Sequence, residues 1–257
     1  MVGAAVAVVG DVGRPGRALS TELLLARFRW IGPLSAEEAE LVLSLGEQPR
    51  THAPGSTICP HEDGSPHPRL MVSGWACRPR ILADGRRQML GLLIPGDMMG
   101  DQADRRPLAL NPVIALTPVR TIGTARLVAA KYDQPDRYPT LTRALQQFER
   151  TEEGGLLDHV VRLGCQNALQ RMAHLLLELH RRLDAIGFVH DGAFPMPLTQ
   201  DTLGEFLGLS LVHVNRIVAK LRRTKLATMR AGLVTIHDFE RLALLGDQID
   251  PTRIAAA

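Results

Sequence analysis

Asn215, Arg216, Lys220, Arg222 and Arg223 crowd into one short stretch, and from Ser210 to Leu226 there are five basic residues and no acid. An arginine can bond guanine O6 and N7 together, and an asparagine can do the same for adenine. Lysines and arginines at the far end of the same element would neutralise phosphates and give salt-dependent affinity. The chemistry these residue types fit is the reading of a DNA major groove.

Two short helices and a tight turn must position them. Thr199 can cap a helix with Asp201 in its first turn, favourable at the positive end of the dipole. Leu203, Phe206 and Leu207 form its buried face, and Gly208 allows a sharp turn. Ser210 caps a second helix whose inward residues are Val214, Ile217, Val218 and Leu221, at the spacing of one helix face. Leu211, Val212, Asn215, Arg216 and Ala219 then face outward, with His213 near the flank. Charge runs are often no more than a solvated face. Here the capped helix-Gly-helix layout and the one-signed charge agree on DNA. Beyond the second helix, Ala227–Arg230 and Leu233–Ile236 flank Ala231-Gly232 like a two-stranded wing with Arg230 at its tip, and Asp238 caps a last short helix, Phe239–Leu245.

The rest of the chain sets bounds. With 257 residues, 45% hydrophobic and 22% charged, it can pack one large domain or two ordinary ones. A net charge of +3 fits a polyanion partner without requiring one. Three scattered cysteines (Cys59, Cys77, Cys165) fit a reducing compartment better than a disulfide framework. The apolar start lacks a basic flank and Asp11 interrupts it, so neither a signal peptide nor a membrane span is expected.

Ser35 with Glu38 forms a capping-box signal ahead of Ala39, Leu41, Val42 and Leu45. From Gln48 to Thr124, short apolar runs (Arg69–Val72, Trp75–Leu82, Gln88–Leu93, Val113–Thr117, Val119–Gly123) alternate with turn signals. Pro54-Gly55, Asp63-Gly64, Asp84-Gly85 and Pro95-Gly96-Asp97 supply the turns, which predicts a small sandwich or barrel with a hairpin at Asp84-Gly85. Pro139 to Leu163 reads as a helix about 37 Å long, with an apolar stripe of Leu141, Leu145, Phe148, Leu156, Leu157, Val160 and Leu163. So long a helix is expected to pack on a copy of itself. Gly154-Gly155 implies either a bend or a close approach of two backbones. Gly164 is the expected joint to an amphipathic helix with Leu169, Met172, Ala173, Leu176, Leu177 and Leu183 inside and Arg171, Glu178, Arg181 and Arg182 outside. Gly187 to Pro197 reads as a loop.

Other groups carry weaker chemistry. His52, Cys59, His61 and His67 could bind zinc or haem, but they form no tight ligand pair, and no metal site is assigned. Cys77 reads as a core or pocket residue beside Arg78, and His159 and Cys165 as packing residues. No GxSxG, phosphate loop or HExxH is present, and no converging His/carboxylate set supports an enzyme.

The pattern Leu198-Thr199-Gln200, Leu203-Gly204, Leu207-Gly208-Leu209-Ser210, Val212-His213-Val214-Asn215-Arg216 resembles the Crp/Fnr family of bacterial transcription regulators, and the resemblance runs from about Leu34 to Leu245. Gly74-Trp75, Cys77-Arg78, Asp84 to Gln88 and Pro95-Gly96-Asp97 resemble strands of that family's sensor domain. The resemblance implies an α+β fold: an N-terminal β-roll or jelly-roll cyclic-nucleotide-binding-like domain, a long dimerisation helix and a C-terminal winged helix-turn-helix. It divides the chain into a disordered or weakly ordered tail (1–25), a sensor domain (26–135), the dimerisation helix (136–165) and the DNA-binding domain (166–257).

The same resemblance implies a cytoplasmic homodimer on a palindromic double-stranded operator, with half-sites about one helical turn apart. An activator would in addition touch RNA polymerase, and no residue pattern marks that contact. The implied DNA contacts are Thr199, Ser210, Leu211, Val212, His213, Asn215, Arg216, Lys220, Arg222, Arg223 and Arg230. The implied dimer contacts are Leu141, Leu145, Phe148, Leu156, Val160 and Leu163. The implied effector pocket is Gly96, Asp97, Gly100, Asp101 and Asn111.

Three departures from the family pattern matter. Members that bind cyclic AMP carry Gly-Glu for the ribose and an arginine for the cyclic phosphate. Here the matching stretches read Met99-Gly100-Asp101 and Leu110-Asn111-Pro112, with Arg105 and Arg106 at the wrong offset. The phosphate would be uncompensated, so cyclic AMP is not the expected effector and no cofactor is assigned. Iron–sulfur members have clustered N-terminal cysteines, and this chain has none before Cys59. Better-known members place Arg-Glu early in the recognition helix. Leu211-Val212 stands there instead, suited to thymine methyls and a different operator. The alternatives to this reading are a haem- or metal-dependent gas or redox sensor and a cupin-like metal enzyme.

Overall fold

The computed structural model describes residues 32–47, 49–59, 68–85, 87–100 and 112–246. The expected N-terminal tail lies outside them, as do His61, His67, Asp101, Arg105, Arg106 and Asn111.

The first helix, α1 (Ala36–Leu43), starts as its sequence dictates. Glu38 N–H donates to Ser35 Oγ at 3.2 Å, and Ser35 N–H returns a bond to Glu38 Oε2 at 2.8 Å. The other carboxylate oxygen does a job the sequence did not show. Glu38 Oε1 accepts from the backbone N–H of Thr140 and Leu141, at 2.7 and 3.0 Å, in the first turn of a helix a hundred residues on. Burial opposes ionisation of Glu38, but the bonds from Ser35, Leu141 and Thr140 outweigh it and hold its carboxyl below the ordinary value.

Eight short strands follow among the described residues: β1 (Arg50–His52), β2 (Thr57–Cys59), β3 (Arg69–Ser73), β4 (Ala76–Ile81), β5 (Arg87–Leu93), β6 (Met98–Met99), β7 (Val113–Ala115) and β8 (Val119–Gly123). They form two four-stranded antiparallel sheets, β1-β8-β3-β6 and β2-β7-β4-β5. Ile58, Met71, Ala76, Leu93, Met99, Val113, Ala115 and Val119 pack between them. The β4–β5 hairpin turns at Asp84-Gly85 as expected. Its register shifts between Arg78 and Pro79, the kind of site where a residue without an N–H is tolerated.

Helices α2 (Ala125–Asp133) and α3 (Pro139–Cys165) complete this half. At 27 residues, α3 is about 40 Å long. It runs unbroken through Gly154 and Gly155, and a Cβ built on either would meet nothing beyond its own stretch of helix within 4 Å. Lys131 of α2 and Arg78 of β4 pair with Glu149 and Glu152 of α3. The chain divides into two compact units, Met1–Leu156 and Leu157–Ala257, so the boundary falls inside α3.

The structure corrects the expected dimer stripe. Leu141 and Leu145 are 0% exposed, buried within their own unit, and so cannot face a second copy. Phe148 and Leu163 are half-buried. Leu156 and Val160 are 43% and 67% exposed, and their exposed neighbours are Leu157 and Val161. Cys165, expected to pack, is exposed.

In the second unit, α4 (Ala168–Asp184) begins at Asn167, which caps it with Gln170 in a capping box. The joint therefore falls at Gln166-Asn167 and not at Gly164. The stretch read as a loop contains a strand, β9 (Ala193–Pro195), which pairs with β11 in a three-stranded sheet β10-β11-β9. The remaining elements are α5 (Gln200–Leu207), α6 (Leu211–Arg223), β10 (Ala227–Arg230), β11 (Leu233–Ile236) and α7 (Phe239–Leu245), the last capped by Asp238.

Candidate nucleic-acid interface

Helices α5 and α6 are set against each other by caps and by one close approach. Thr199 Oγ1 accepts from Thr202 N–H at 3.1 Å, and Leu203, Phe206 and Leu207 are buried. Gly208 ends α5 at φ +65°, a conformation glycine adopts without strain. Gly204, which spacing alone did not single out, lets the turn fold back. Leu209 N–H donates to its carbonyl at 2.9 Å, and a Cβ at Gly204 would lie 2.6 Å from the Leu209 carbonyl oxygen. Gly204→Ala is therefore expected to destabilise the protein by about 1–3 kcal/mol, the usual cost of overpacking. Urea unfolding checks it, and an unchanged midpoint would show that the turn simply shifts.

Ser210 caps α6, with its hydroxyl accepting from His213 N–H and lying 2.9 Å from His213 Nδ1. His213 is thus tied to the cap. Val214, Ile217 and Leu221 are buried and Val218 is half-buried, while Leu211, Val212, His213, Asn215, Arg216, Ala219, Lys220, Arg222 and Arg223 are exposed. This is the inside–outside division the spacing predicts. Among the described residues, Arg216, Lys220, Arg222, Arg223 and Arg230 make no ion pair and are exposed. Lys220, Arg222 and Arg223 also sit at the negative end of the helix dipole, which favours them there.

The wing forms as expected. Arg230 stands opposite Leu233, and the two residues between them, Ala231 and Gly232, have φ of +52° and +75°. A two-residue connection with both φ positive matches the right-handed twist of the strands. Arg230 is exposed at the tip.

A buried polar layer underpins the two helices, and it was missed in sequence. Arg162 on α3 is fully buried and pairs with Glu178 on α4, which also accepts from Arg182 at 2.9 Å. His159 stacks on Phe206 of α5 with centroids 4.3 Å apart, and the Arg162 guanidinium lies 5.6 Å from the same ring centre. Burial opposes the Glu178 charge, yet Arg162 and Arg182 outweigh it and hold the carboxyl below its ordinary range. Arg171, expected on the solvent side of α4 along with Glu178, turns in instead. Its guanidinium donates to the carbonyls of Gln166, Leu207 and Leu163 at 2.9, 2.9 and 2.8 Å, filling acceptors left open at two helix ends.

Three of the expected effector residues, Gly96, Asp97 and Gly100, lie among the described ones. Asp97 accepts from Ile94 N–H at 2.8 Å and closes its own turn, and Gly96 is buried with its N–H on the Met71 carbonyl at 2.8 Å. Gly100 is half-buried after β6. His52 and Cys59 sit on strands of different sheets, and Cys77 is buried in β4. Among the described residues no three His, Cys, Asp or Glu side chains gather to hold a metal ion.

Residues 170–245 match the Crp-like helix-turn-helix domain family. The chain is 27% identical over 193 residues to the nitrogen fixation regulation protein FixK of Bradyrhizobium diazoefficiens, covering 74% of this chain and 78% of that protein. It is 28% identical over 197 residues to the transcriptional activator protein FnrL of Cereibacter sphaeroides, covering 75% and 78%. In fold it is similar to FixK2 from Bradyrhizobium japonicum, with a TM-score of 0.66 and 23% identity over 79% of this chain and 98% of that one. A CRP-family regulator from Thermus thermophilus aligns with a TM-score of 0.59 at 19% identity, over 77% and 97%.

Proposed function

We propose, for a chain that belongs to the Crp/Fnr family of transcription regulators, that it works as a homodimer laying α6 of each protomer into successive major grooves of a palindromic operator. The half-sites would lie about 34–36 Å apart. The observation that carries this reading is the outward face of α6, where exposed Leu211, Val212, Asn215 and Arg216 precede exposed Lys220, Arg222 and Arg223 with no acid among them. Asn215 and Arg216 read base edges, Leu211 and Val212 meet thymine methyls, and the three terminal cations with Arg230 of the wing hold phosphates. Thr199, Ser210 and His213 line the entry of the helix into the groove. No helix among the described residues is long and apolar enough to cross a membrane, and we place the protein in the cytoplasm. It acts by binding rather than catalysis, and as an activator the same dimer would touch RNA polymerase.

Selection of genomic fragments by the purified protein, followed by mobility shift, tests this. Arg216→Ala is expected to lose about 1–3 kcal/mol of specific binding and to relax one operator position. Equal affinity for selected and scrambled DNA in the unaltered protein would overturn the reading.

A further inference from the structure

The first sheet carries a group of cations for which DNA recognition has no use. Residues directly opposite one another in an antiparallel pair project to the same side of the sheet. Arg50 stands opposite Thr121, His52 opposite Val119, Arg69 opposite Gly123 and Met71 opposite Thr121. Met71 and Val119 belong to the packed interior between the two sheets. Arg50, His52, Arg69 and Thr121 therefore share the face that looks into the roll.

Arg69 is 8% exposed. Its Nε donates to Thr121 Oγ1 at 2.7 Å, and His52 Nε2 lies 3.0 Å from the same oxygen. Among the described residues, neither Nη group of Arg69 has an acceptor and no carboxylate pairs with it. The contrast within the molecule is sharp. Three Lys or Arg side chains are buried among the described residues; Lys131 pairs with Glu149 and Arg162 with Glu178, and Arg69 alone has no such partner. A buried charge without a counter-charge is costly, so it persists where something else offsets it. Burial, then Arg69 and Arg50, holds His52 below its ordinary range; burial, then Arg50, lowers Arg69, with Cys59 opposing in part. Arg50 is exposed beside the group, so solute reaches it from that side.

We infer that the roll holds an anion-binding site in which the Nη edge of Arg69 takes two oxygens of a carboxylate or phosphate group on a small effector. Thr121 fixes the guanidinium through Nε, which leaves both Nη groups for a forked contact. Arg50 adds charge at the mouth. This site differs from the pocket expected around Gly96 and Asp97, in the β5–β6 turn, and Gly100, just past β6.

The test is calorimetric titration of the full-length protein with inorganic phosphate and, separately, with succinate, each against chloride at matched ionic strength, with thermal unfolding alongside. One saturable event per protomer and a rise in Tm are expected with one or both anions. Arg69→Gln should weaken it by about tenfold or more, the loss of a charge-assisted contact. Arg50→Ala, at an exposed position, should weaken it by a smaller factor and keeps the test decisive should Arg69→Gln fail to fold. Arg143→Ala, exposed on α3, should leave it unchanged. No saturable event with either anion at tens of millimolar, or equal binding in the unaltered protein, Arg69→Gln and Arg50→Ala, would overturn the inference. Mobility shift on the same samples separates the two readings: lost DNA binding with intact anion binding sinks the DNA reading alone, and the converse sinks only this one.

Discussion

Glu178→Ala is expected to destabilise the protein by about 3–5 kcal/mol, the cost of removing one partner from a buried ion pair. Arg162 is 0% exposed, and its Nε already lacks a hydrogen-bond partner. Its remaining neighbours are the Phe206 ring and His159, whose Nδ1 lies 3.4 Å from Nη1. Neither can replace a carboxylate. The double variant Arg162→Met with Glu178→Leu should recover most of the loss, because exchange of a whole buried pair for apolar groups of similar volume is often neutral. Urea unfolding of the single and double variants checks this, and a single variant within about 0.5 kcal/mol of the parent would show that water reaches the guanidinium. Acid acts on the same bond. The folded carboxyl of Glu178 is held below its ordinary value of 4.5. Its contribution is therefore fully present above that pH and lost as pH falls through the folded value. Below pH 4.5 the parent should lose stability more steeply than Glu178→Ala.

What could be read from the chain and what could not divides along a physical line. Signals carried by adjacent residues came through: the Ser35–Glu38 box, the Asp84-Gly85 hairpin, the caps at Thr199, Ser210 and Asp238, and the inward and outward faces of α6. Each depends on residues one helical turn or one strand pair apart. Roles set by distant partners did not come through. Periodicity puts Arg171 and Glu178 on the polar side of α4, and nothing in the local sequence says that Leu207 and Arg162 wait there. Glu38 is visible as the end of a capping box, yet its second oxygen serves α3 more than a hundred residues later. Strand β9 is three residues long and takes its identity from pairing with β11, so it reads as loop. In the interface, the exposed faces were legible and the supporting close approach at Gly204 was not. In the first sheet, Arg69 sits among apolar strand residues, and only the cross-strand register shows that it meets Arg50 and His52.

Substitution of Val160 by aspartate is expected to split the proposed dimer while leaving each protomer folded. The apolar period of α3 cannot say what covers each part of its stripe. The structure answers for one end: Leu141 and Leu145 are 0% exposed within their own unit, so Leu145→Asp, the change the sequence suggests for separating subunits, would unfold the protomer instead. Further along, Leu156, Leu157, Val160 and Val161 are 43%, 61%, 67% and 49% exposed, at i, i+1, i+4 and i+5 on the same helix. Four large aliphatic side chains on adjacent turns make a contiguous apolar surface of the kind that marks an interface. Gly154 and Gly155 lie just before them, and a Cβ added at either would meet open space, which leaves room for a second helix to approach. A twofold contact uses the same patch twice, so Val160→Asp would bury two like charges close together. At about 3 kcal/mol or more per buried unpaired charge, the dissociation constant should rise at least about a hundredfold. Sedimentation should show a folded single protomer, and mobility shift an operator affinity collapsed to that of a single half-site. A dimer that survives Val160→Asp would place the subunit contact elsewhere and leave this stripe open to water.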